Sequence, residues 1–212
     1  MNIIIFGANG KTGRELMERA LKQGHSVTAF VRDPSKILLK DANLNIVKGE
    51  ATNYSDVEKV LKANKYDIAY SVLGAKGMFK RDLPLIGAMQ NIVKAMEKNN
   101  VPKLIHVSFI GAREEAVKLG FVYKYIIPNF MKNLLLDHRE KDTLLTNSRL
   151  TWTLVQPPSL TSGPYTGRYM HEAQINMGVS RKLKLSRADL ADFMIKQLND
   201  DTYNNKAVFV TE

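Results

Sequence analysis

Three glycines spaced three residues apart, near the start of the chain, constrain its fold more than any other feature. Gly7, Gly10 and Gly13 lie in the stretch FGANGKTG, directly after the apolar run 2–6, which is typical of a buried strand. The residues that follow have the apolar spacing of an amphipathic helix. A strand, a glycine turn and a helix in this order predict a dinucleotide-binding fold, because a pyrophosphate can approach the glycine backbone and bind the first N–H groups of the helix.

The glycine spacing is G-x-x-G-x-x-G, with Asn9 at the place of the second glycine of the more common G-x-G-x-x-G pattern. This spacing resembles that of short-chain dehydrogenases of the extended and atypical groups. A turn that only packs a helix against a strand is the alternative. The position of the glycines between a predicted strand and a predicted helix favours cofactor binding.

Predicted strands and helices alternate along the rest of the chain. Runs typical of strands lie at 2–6, 27–31, 46–47, 67–73, 104–107, 151–156 and 208–210. Helical spacing of apolar residues is found near 56–63, 85–99 and 129–147, and Ser186 with Asp189 forms a capping-box variant that opens a last helix. This alternation predicts a Rossmann-like α/β fold, a doubly wound and mostly parallel sheet with helices on both faces.

The chain length of 212 residues suits a single NAD(P)-binding Rossmann domain, 1–212. We expect a small substrate lobe built from 109–135 and 159–184, the second segment being irregular or hairpin-like. The sequence leaves open whether the protein is a monomer or a small homo-oligomer.

Composition narrows the classes of function. The net charge is +10, but the basic residues are spread along the chain without a nucleic-acid-binding motif, so we expect small anionic ligands and no nucleic-acid partner. There is no cysteine, and the four histidines lack metal-ligand spacing, so no metal site is expected. We expect a cytoplasmic protein without a membrane partner, because the chain starts with a strand and no apolar run approaches the roughly 20 residues of a membrane span.

Basic residues in the predicted loops after the strands favour an anionic cofactor and an anionic substrate. These residues are Lys76, Lys80, Arg81 and Arg113. Loops at the carboxyl ends of the strands face the ligand in open α/β sheets.

The end of the second strand indicates which nicotinamide cofactor is bound. An acid at this place would bind the ribose 2′-hydroxyl of NAD, whereas Arg32 can grip the 2′-phosphate of NADP. Lys36 adds a second positive charge. Asp33 is the competing ribose acid, but a cap on the turn that begins at Pro34 is the interpretation we favour. The sequence therefore predicts NADPH.

The reaction is not predicted to use the tyrosine acid of typical short-chain dehydrogenases. None of the eight tyrosines is followed by a lysine four residues later. Ser108, at the end of the fifth strand, could bind the nicotinamide carboxamide or a substrate carbonyl, or could only satisfy the loop. His138 could donate a proton, although a lone surface histidine is the more common situation.

The chain resembles the biliverdin reductase B and flavin reductase type of atypical short-chain dehydrogenase, within the NAD(P)H-binding, NmrA-like group. The matching stretches are FGANGKTG (6–13), VRDPSK (31–36), VLGAKG (72–77), NIVKAM (91–96), DHREK (137–141), QPPSL (156–160) and LSRADLADFM (185–194). Two positions depart from the family: Ser159 replaces its histidine, and Glu50 replaces its aspartate.

The resemblance assigns roles to residues in the order of the chain. It implies that the diphosphate is held by Gly7, Asn9, Gly10, Lys11, Thr12 and Gly13, and the 2′-phosphate by Arg32 and Lys36. It implies that the adenine lies at Glu50 and Ala51, the ribose at Leu73, Gly74 and Lys76, and the nicotinamide at Ser108, Pro157, Ser159 and Leu160. Ser108, Ser159 and His138 are the candidates for catalytic roles.

The resemblance further implies hydride transfer from NADPH to a flavin (FMN, FAD or riboflavin) or to a linear tetrapyrrole such as biliverdin, with FMN or FAD as substrate. We expect the acceptor to lie under Phe109, Phe121 and Tyr123, although each of these rings could instead be core. Two alternatives stay open: a non-catalytic NmrA-like sensor that binds NADP(H), and an NADPH-dependent quinone or enone reductase.

Overall fold

The computed structural model describes residues 1–75, 77–176 and 181–212. The strands are β1 (Asn2–Phe6), β2 (Ser26–Val31), β3 (Leu44–Lys48), β4 (Ile68–Ser71), β5 (Lys103–Val107), β6 (Thr151–Gln156), β7 (Ser159–Thr161), β8 (Met170–Glu172), β9 (Lys184–Ser186) and β10 (Lys206–Thr211). The α-helices are α1 (Lys11–Lys22), α2 (Tyr54–Ala63), α3 (Leu83–Lys98), α4 (Ile127–Phe130), α5 (Lys132–Thr146) and α6 (Arg187–Lys196).

Eight strands form one sheet in the order β3-β2-β1-β4-β5-β6-β10-β8. All neighbours in it are parallel except β8, which pairs antiparallel with β10. The strand order reverses between β1 and β4, where Phe6 lies opposite Ser71. Ligands of open α/β sheets bind at the carboxyl ends of the strands beside such a reversal.

Apolar side chains bury both faces of the sheet, which confirms the predicted fold class. One cluster joins α1 and α6 to the sheet through residues such as Leu16 and Phe193. A second cluster, on α2 and α3, includes Val57 and Ile92. The predicted cap of the last helix is also confirmed, since the Asp189 backbone N–H donates to Ser186 Oγ at 2.9 Å.

The segments 109–135 and 159–184 share a small hydrophobic cluster of their own. Tyr123 and Leu135 come from the first segment and Ile175 from the second, and they pack against Phe209 of β10. The hairpin-like expectation for 159–184 is wrong, because β7 pairs in parallel with β9 and β8 joins the main sheet. Leu160 and Leu185 lie opposite each other in this pair, and both contact the core on the α1 side.

The longest described helix, α3, has 16 residues. None of the described helices combines the length and apolarity of a membrane span, which needs about 20 residues.

Candidate functional site

The glycine loop after β1 packs so closely against its surroundings that two of its positions exclude a side chain. Gly7 has φ +95°, and a Cβ there would lie 2.9 Å from the carbonyl oxygen of Val72 in the loop after β4. A Cβ on Gly13 would lie 2.3 Å from the carbonyl oxygen of Gly7. The close packing of α1 on this loop therefore requires glycine at both positions.

The first turn of α1 presents backbone donors that have no partner among the described residues. Gly10 is the N-cap, so no side chain caps the helix, and the first turn contains no acid. The first helical bond begins at Arg14, whose N–H donates to the Gly10 carbonyl at 2.9 Å. The N–H groups of Lys11, Thr12 and Gly13 precede that bond, so they are positioned to bind an anion such as a diphosphate.

Asn9 links the glycine loop to the loop after β2. Its Nδ2 donates to the backbone carbonyl of Asp33 at 2.8 Å, whereas its Oδ1 is buried and has no hydrogen-bond partner among the described residues. Arg14 strengthens the same link, since its guanidinium donates to the carbonyl of Lys36 at 3.0 Å. The sequence interpretation missed this role of Arg14, and its place in the first turn of α1 was the only available signal.

Two residues of opposite charge follow β2, and in the part of the chain that the structure describes only the acidic one is engaged in hydrogen bonds that fix its side chain. Arg32 is exposed and forms no ion pair with any carboxylate of the described chain. Asp33 caps the 3₁₀ turn 34–36, where it accepts from the Ser35 N–H at 3.2 Å and from the Ser35 hydroxyl at 2.6 Å. The capping role predicted for Asp33 is thus confirmed.

The two basic residues near this turn, Arg32 and Lys36, differ in how far a nearby carboxylate compensates their charge. The bonds from Ser35 hold the pKa of Asp33 below its ordinary value. Lys36 lies 3.5 Å from the Asp33 carboxylate, so part of its charge is already compensated. Arg32 is therefore the cation best placed for a 2′-phosphate.

The predicted adenine and ribose residues lie in the loops after β3 and β4. Glu50 is exposed and its N–H donates to Asp56 at 3.0 Å, and the carbonyl of Ala51 accepts from Asn91 at 3.0 Å. Leu73 packs on the core, and a Cβ on Gly74 would meet nothing within 4 Å, so the space beside it is open. Lys76 lies outside the described residues.

The predicted nicotinamide residues follow β5 and β6, which are neighbours in the sheet. The N–H of Ser108 donates to the carbonyl of Val155 at 2.8 Å, and the N–H of Ile110 donates to the carbonyl of Pro157 at 3.1 Å. Ser108 and Pro157 are both buried. The exposed Ser159 and the partly buried Leu160 begin β7.

Ser108 belongs to a polar cluster that the sequence interpretation only half identified. Its Oγ donates to Asp142 Oδ2 at 2.7 Å and lies 3.4 Å from His138 Nδ1. Gln156, the last residue of β6, approaches the same Asp142 oxygen with Nε2 at 3.4 Å. Asp142 and Gln156 were missed. The available signals were the spacing of four residues between His138 and Asp142 on α5, and the end of β6 at Gln156.

Burial shifts the pKa values of two groups in this cluster, Asp142 and His138. It raises the pKa of Asp142 to about 6, against the opposing hydrogen bond from Ser108. Burial and the nearby Lys141 lower the pKa of His138 to about 3, so the imidazole is neutral at pH 7. His138 is not a lone surface histidine: it is partly buried, and its ring lies 6.1 Å from that of Phe109.

Two of the basic residues that we expected to face a ligand are bound within the protein. The Arg81 guanidinium pairs with Asp137 and Glu140 on α5. Arg113 donates to the carbonyl of Ala173 at 2.7 Å and lies near Glu115. Lys80 is exposed. Arg81 therefore joins the loop after β4 to α5, and Arg113 joins the two segments of the lobe to each other.

The three aromatic residues expected to cover the acceptor have different surroundings. Tyr123 is buried in the lobe cluster, 6.3 Å from the Phe109 ring, so for this residue the core alternative is confirmed and the role of covering the acceptor is wrong. Phe109 is only partly buried. Phe121 is exposed and contacts Tyr125 with ring centroids 5.1 Å apart.

Sequence comparison places the chain among known proteins. A family described as NAD(P)H-binding matches residues 7–201. An uncharacterised chloroplastic protein of Arabidopsis thaliana is 26% identical over 179 residues, with 81% of this chain and 64% of the relative covered. A Bacillus subtilis protein described as an uncharacterised sugar epimerase is 26% identical, with 100% of this chain and 94% of the relative covered.

Solved structures share the fold along the whole chain. A Veillonella parvula short-chain dehydrogenase/reductase in complex with NADP has a TM-score of 0.79 at 22% identity, covering 100% of this chain and 94% of its own. An anaerobillin reductase of Escherichia coli has a TM-score of 0.79 at 21% identity, covering 100% of this chain and 97% of its own.

Proposed function

Because the chain belongs to the NAD(P)H-binding family, we propose that it is an NADPH-dependent reductase that transfers a hydride to a flat conjugated acceptor, either a flavin or a linear tetrapyrrole such as biliverdin. The observation that carries the choice of NADPH is the contrast at the end of β2. Arg32 is exposed, while the neighbouring acid Asp33 is engaged as a cap. An arginine free to bind in a bidentate way suits a 2′-phosphate better than a 2′-hydroxyl.

The residues around the glycine loop fit the diphosphate part of the cofactor. Gly7 and Gly13 leave no room for side chains, and α1 begins with free N–H donors and no acid. The buried Asn9 Oδ1 offers an acceptor without a partner in the described chain. NADPH, when bound, supplies the hydride.

The arrangement around Ser108 supports reduction without a tyrosine acid. No tyrosine of the chain has a lysine four residues later, and Ser108 contacts Asp142 and His138 instead. A hydroxyl at this place orients the reactants and binds a heteroatom of the acceptor. The proton that completes the reduction can come from water, so orientation and exclusion of solvent are the main contributions of the protein.

Exposed groups on the lobe suit a flat anionic acceptor. Phe121 and Tyr125 present aromatic surface, and Lys118, Lys124 and Lys132 are exposed on the same segment. The rings can stack on a conjugated system, while the ammonium groups attract a phosphate or carboxylates. The Escherichia coli neighbour, named a reductase, supports this class of activity on the shared fold.

The test is the rate of NADPH oxidation with free FMN, and separately with biliverdin, beside NADH at the same concentration. We expect turnover with NADPH well above turnover with NADH. NADPH binding without turnover of any acceptor would favour the sensor alternative. Turnover with a quinone but with neither FMN nor biliverdin would favour the quinone reductase.

A further inference from the structure

Asp142 is placed to control which hydrogen bond Ser108 can offer to a ligand. The serine hydroxyl has one hydrogen, and this hydrogen is given to Asp142 Oδ2 at 2.7 Å. While Asp142 is ionised, it can only accept, so Ser108 Oγ has no hydrogen left for a bound acceptor molecule and can only accept as well.

A proton on Asp142 would reverse this bond. The carboxyl group would then donate to Ser108 Oγ, and the serine hydrogen could turn toward a bound acceptor molecule or toward His138 Nδ1, which lies 3.4 Å from Oγ. One oxygen of the carboxylate, Asp142 Oδ1, is buried and has no hydrogen-bond partner among the described residues. A buried carboxylate oxygen that receives no hydrogen bond disfavours the ionised form, so the geometry of the cluster favours a proton on Asp142.

We propose that Asp142 is a positioning residue for Ser108. By gaining or losing a proton, Asp142 decides whether the Ser108 hydroxyl can donate a hydrogen bond to the molecule that receives the hydride or can only accept one from it. This inference rests on the proposed function. A donor stabilises the negative charge that develops on a nitrogen or oxygen of the acceptor as the hydride arrives. The protein with protonated Asp142 is therefore the faster reductase.

Titratable groups on the same helix and on β5 surround Asp142, and burial lowers the pKa of Lys141 among them. His138 and Lys141 lie on the same helix, Gln156 comes from β6 and Ser108 follows β5, while His106 of β5 lies near Lys141 and His138. Burial raises the pKa of Asp142 to about 6 and lowers that of His138 to about 3. The pKa of His106 lies well below its ordinary value, again because of burial.

The experiment measures single-turnover oxidation of NADPH by excess FMN from pH 5 to pH 8. In the unmodified protein we expect the rate to fall by up to about 100-fold from pH 5 to pH 8, because losing one donor to a developing charge costs about 100- to 1,000-fold and a small fraction of Asp142 is still protonated at pH 8. Asp142→Asn should give a flat profile with nearly unchanged KM for NADPH, because the amide N–H donates to Ser108 Oγ at every pH. The rate of Ser108→Ala should also be independent of pH, but lower than that of Asp142→Asn.

Asp137→Asn is the matched control. Asp137 is a buried carboxylate on the same helix, but it pairs with Arg81 and accepts from the Asp82 N–H at 2.8 Å. Its replacement should lower stability and leave the shape of the pH profile unchanged. A pH profile of Asp142→Asn that matches that of the unmodified protein would overturn the inference and leave the proposed function intact.

A carbon-13 NMR titration of the Asp142 carboxyl group tests the inference when no acceptor is reduced. The Ser108 hydroxyl stabilises the ionised carboxylate, so Ser108→Ala should raise the pKa of Asp142 further. An identical titration in both proteins would overturn the inference. Failure of the unmodified protein to oxidise NADPH at every pH, with the expected shift in the NMR titration, would contradict the proposed function alone.

Discussion

The side chain of Asn9 donates a hydrogen bond to the backbone carbonyl of Asp33 at 2.8 Å. This bond holds the glycine loop after β1 against the loop after β2, and Arg14 joins the same two loops through the Lys36 carbonyl. The proposed sites for the diphosphate and for the 2′-phosphate therefore form one surface. Their contributions to cofactor affinity can be separated by substitution.

Arg32→Ala should weaken NADPH binding by about 1.5–3 kcal/mol, the range for hydrogen bonds to charged groups. NADH binding should change much less, since NADH lacks the 2′-phosphate. Fluorescence titration with both cofactors measures the difference. Lys22→Ala, an exposed lysine at the far end of α1, is the control and should leave both affinities unchanged. Equal losses for both cofactors in Arg32→Ala would refute the assignment of the 2′-phosphate.

Asn9→Ala should weaken the binding of NADPH and of NADH to the same extent, because Asn9 is assigned to the diphosphate, which both cofactors share. Loss of its bond to the Asp33 carbonyl should also lower the free energy of unfolding by about 1 kcal/mol. Cofactor titration and urea denaturation measure the two effects. A loss confined to NADPH would place Asn9 at the 2′-phosphate instead.

Gly13→Ala should destabilise the protein by at least about 1–3 kcal/mol, the usual cost of overpacking. The added Cβ would lie 2.3 Å from the Gly7 carbonyl oxygen, and backbone has to move to relieve the clash. Gly87→Ala on α3 is the matched control, since its Cβ would meet nothing within 4 Å and alanine favours a helix by up to about 1 kcal/mol. Urea denaturation of both variants compares them, and similar stabilities would contradict the close packing of α1 on the glycine loop.

Asp142→Asn should gain stability relative to the unmodified protein as the pH rises. The folded protein holds the Asp142 proton up to about pH 6, whereas the unfolded chain releases it near the ordinary value of 3.8. Between these values the folded state binds more protons, so rising pH favours unfolding of the unmodified protein. The difference between the two unfolding free energies should therefore grow from about pH 4 to pH 6 and then level off.

His138 has the opposite effect on how stability changes with pH. Its contribution cancels when Asp142→Asn is compared with the unmodified protein. Its folded pKa of about 3 lies below the ordinary 6.5, so the unfolded state binds more protons and stability is lost as the pH falls below about 6.5. Both proteins contain His138, so their difference reports Asp142. Urea denaturation at half-unit intervals of pH measures it, and a constant difference would show that the Asp142 pKa is not raised.

The amino-acid sequence by itself determined the features that depend on neighbouring residues. The alternation of apolar runs determined strands β1–β6 and β10 and the doubly wound sheet, although not the short strands β7, β8 and β9. The glycine spacing after β1 determined where the loop must lack side chains. The cap at Ser186 and the cap at Asp33 were also predictable, because each acts within three residues of its own position.

Only the tertiary structure decided which distant side chains meet. The Ser108–Asp142 bond spans 34 residues and the Arg81–Asp137 pair spans 56. Such contacts depend on the register of β5 against β6 and on the rotation of α5 over the sheet, and local periodicity encodes neither. For the same physical reason Arg81 looked like a ligand-binding residue in the sequence, whereas in the folded protein it is paired with α5.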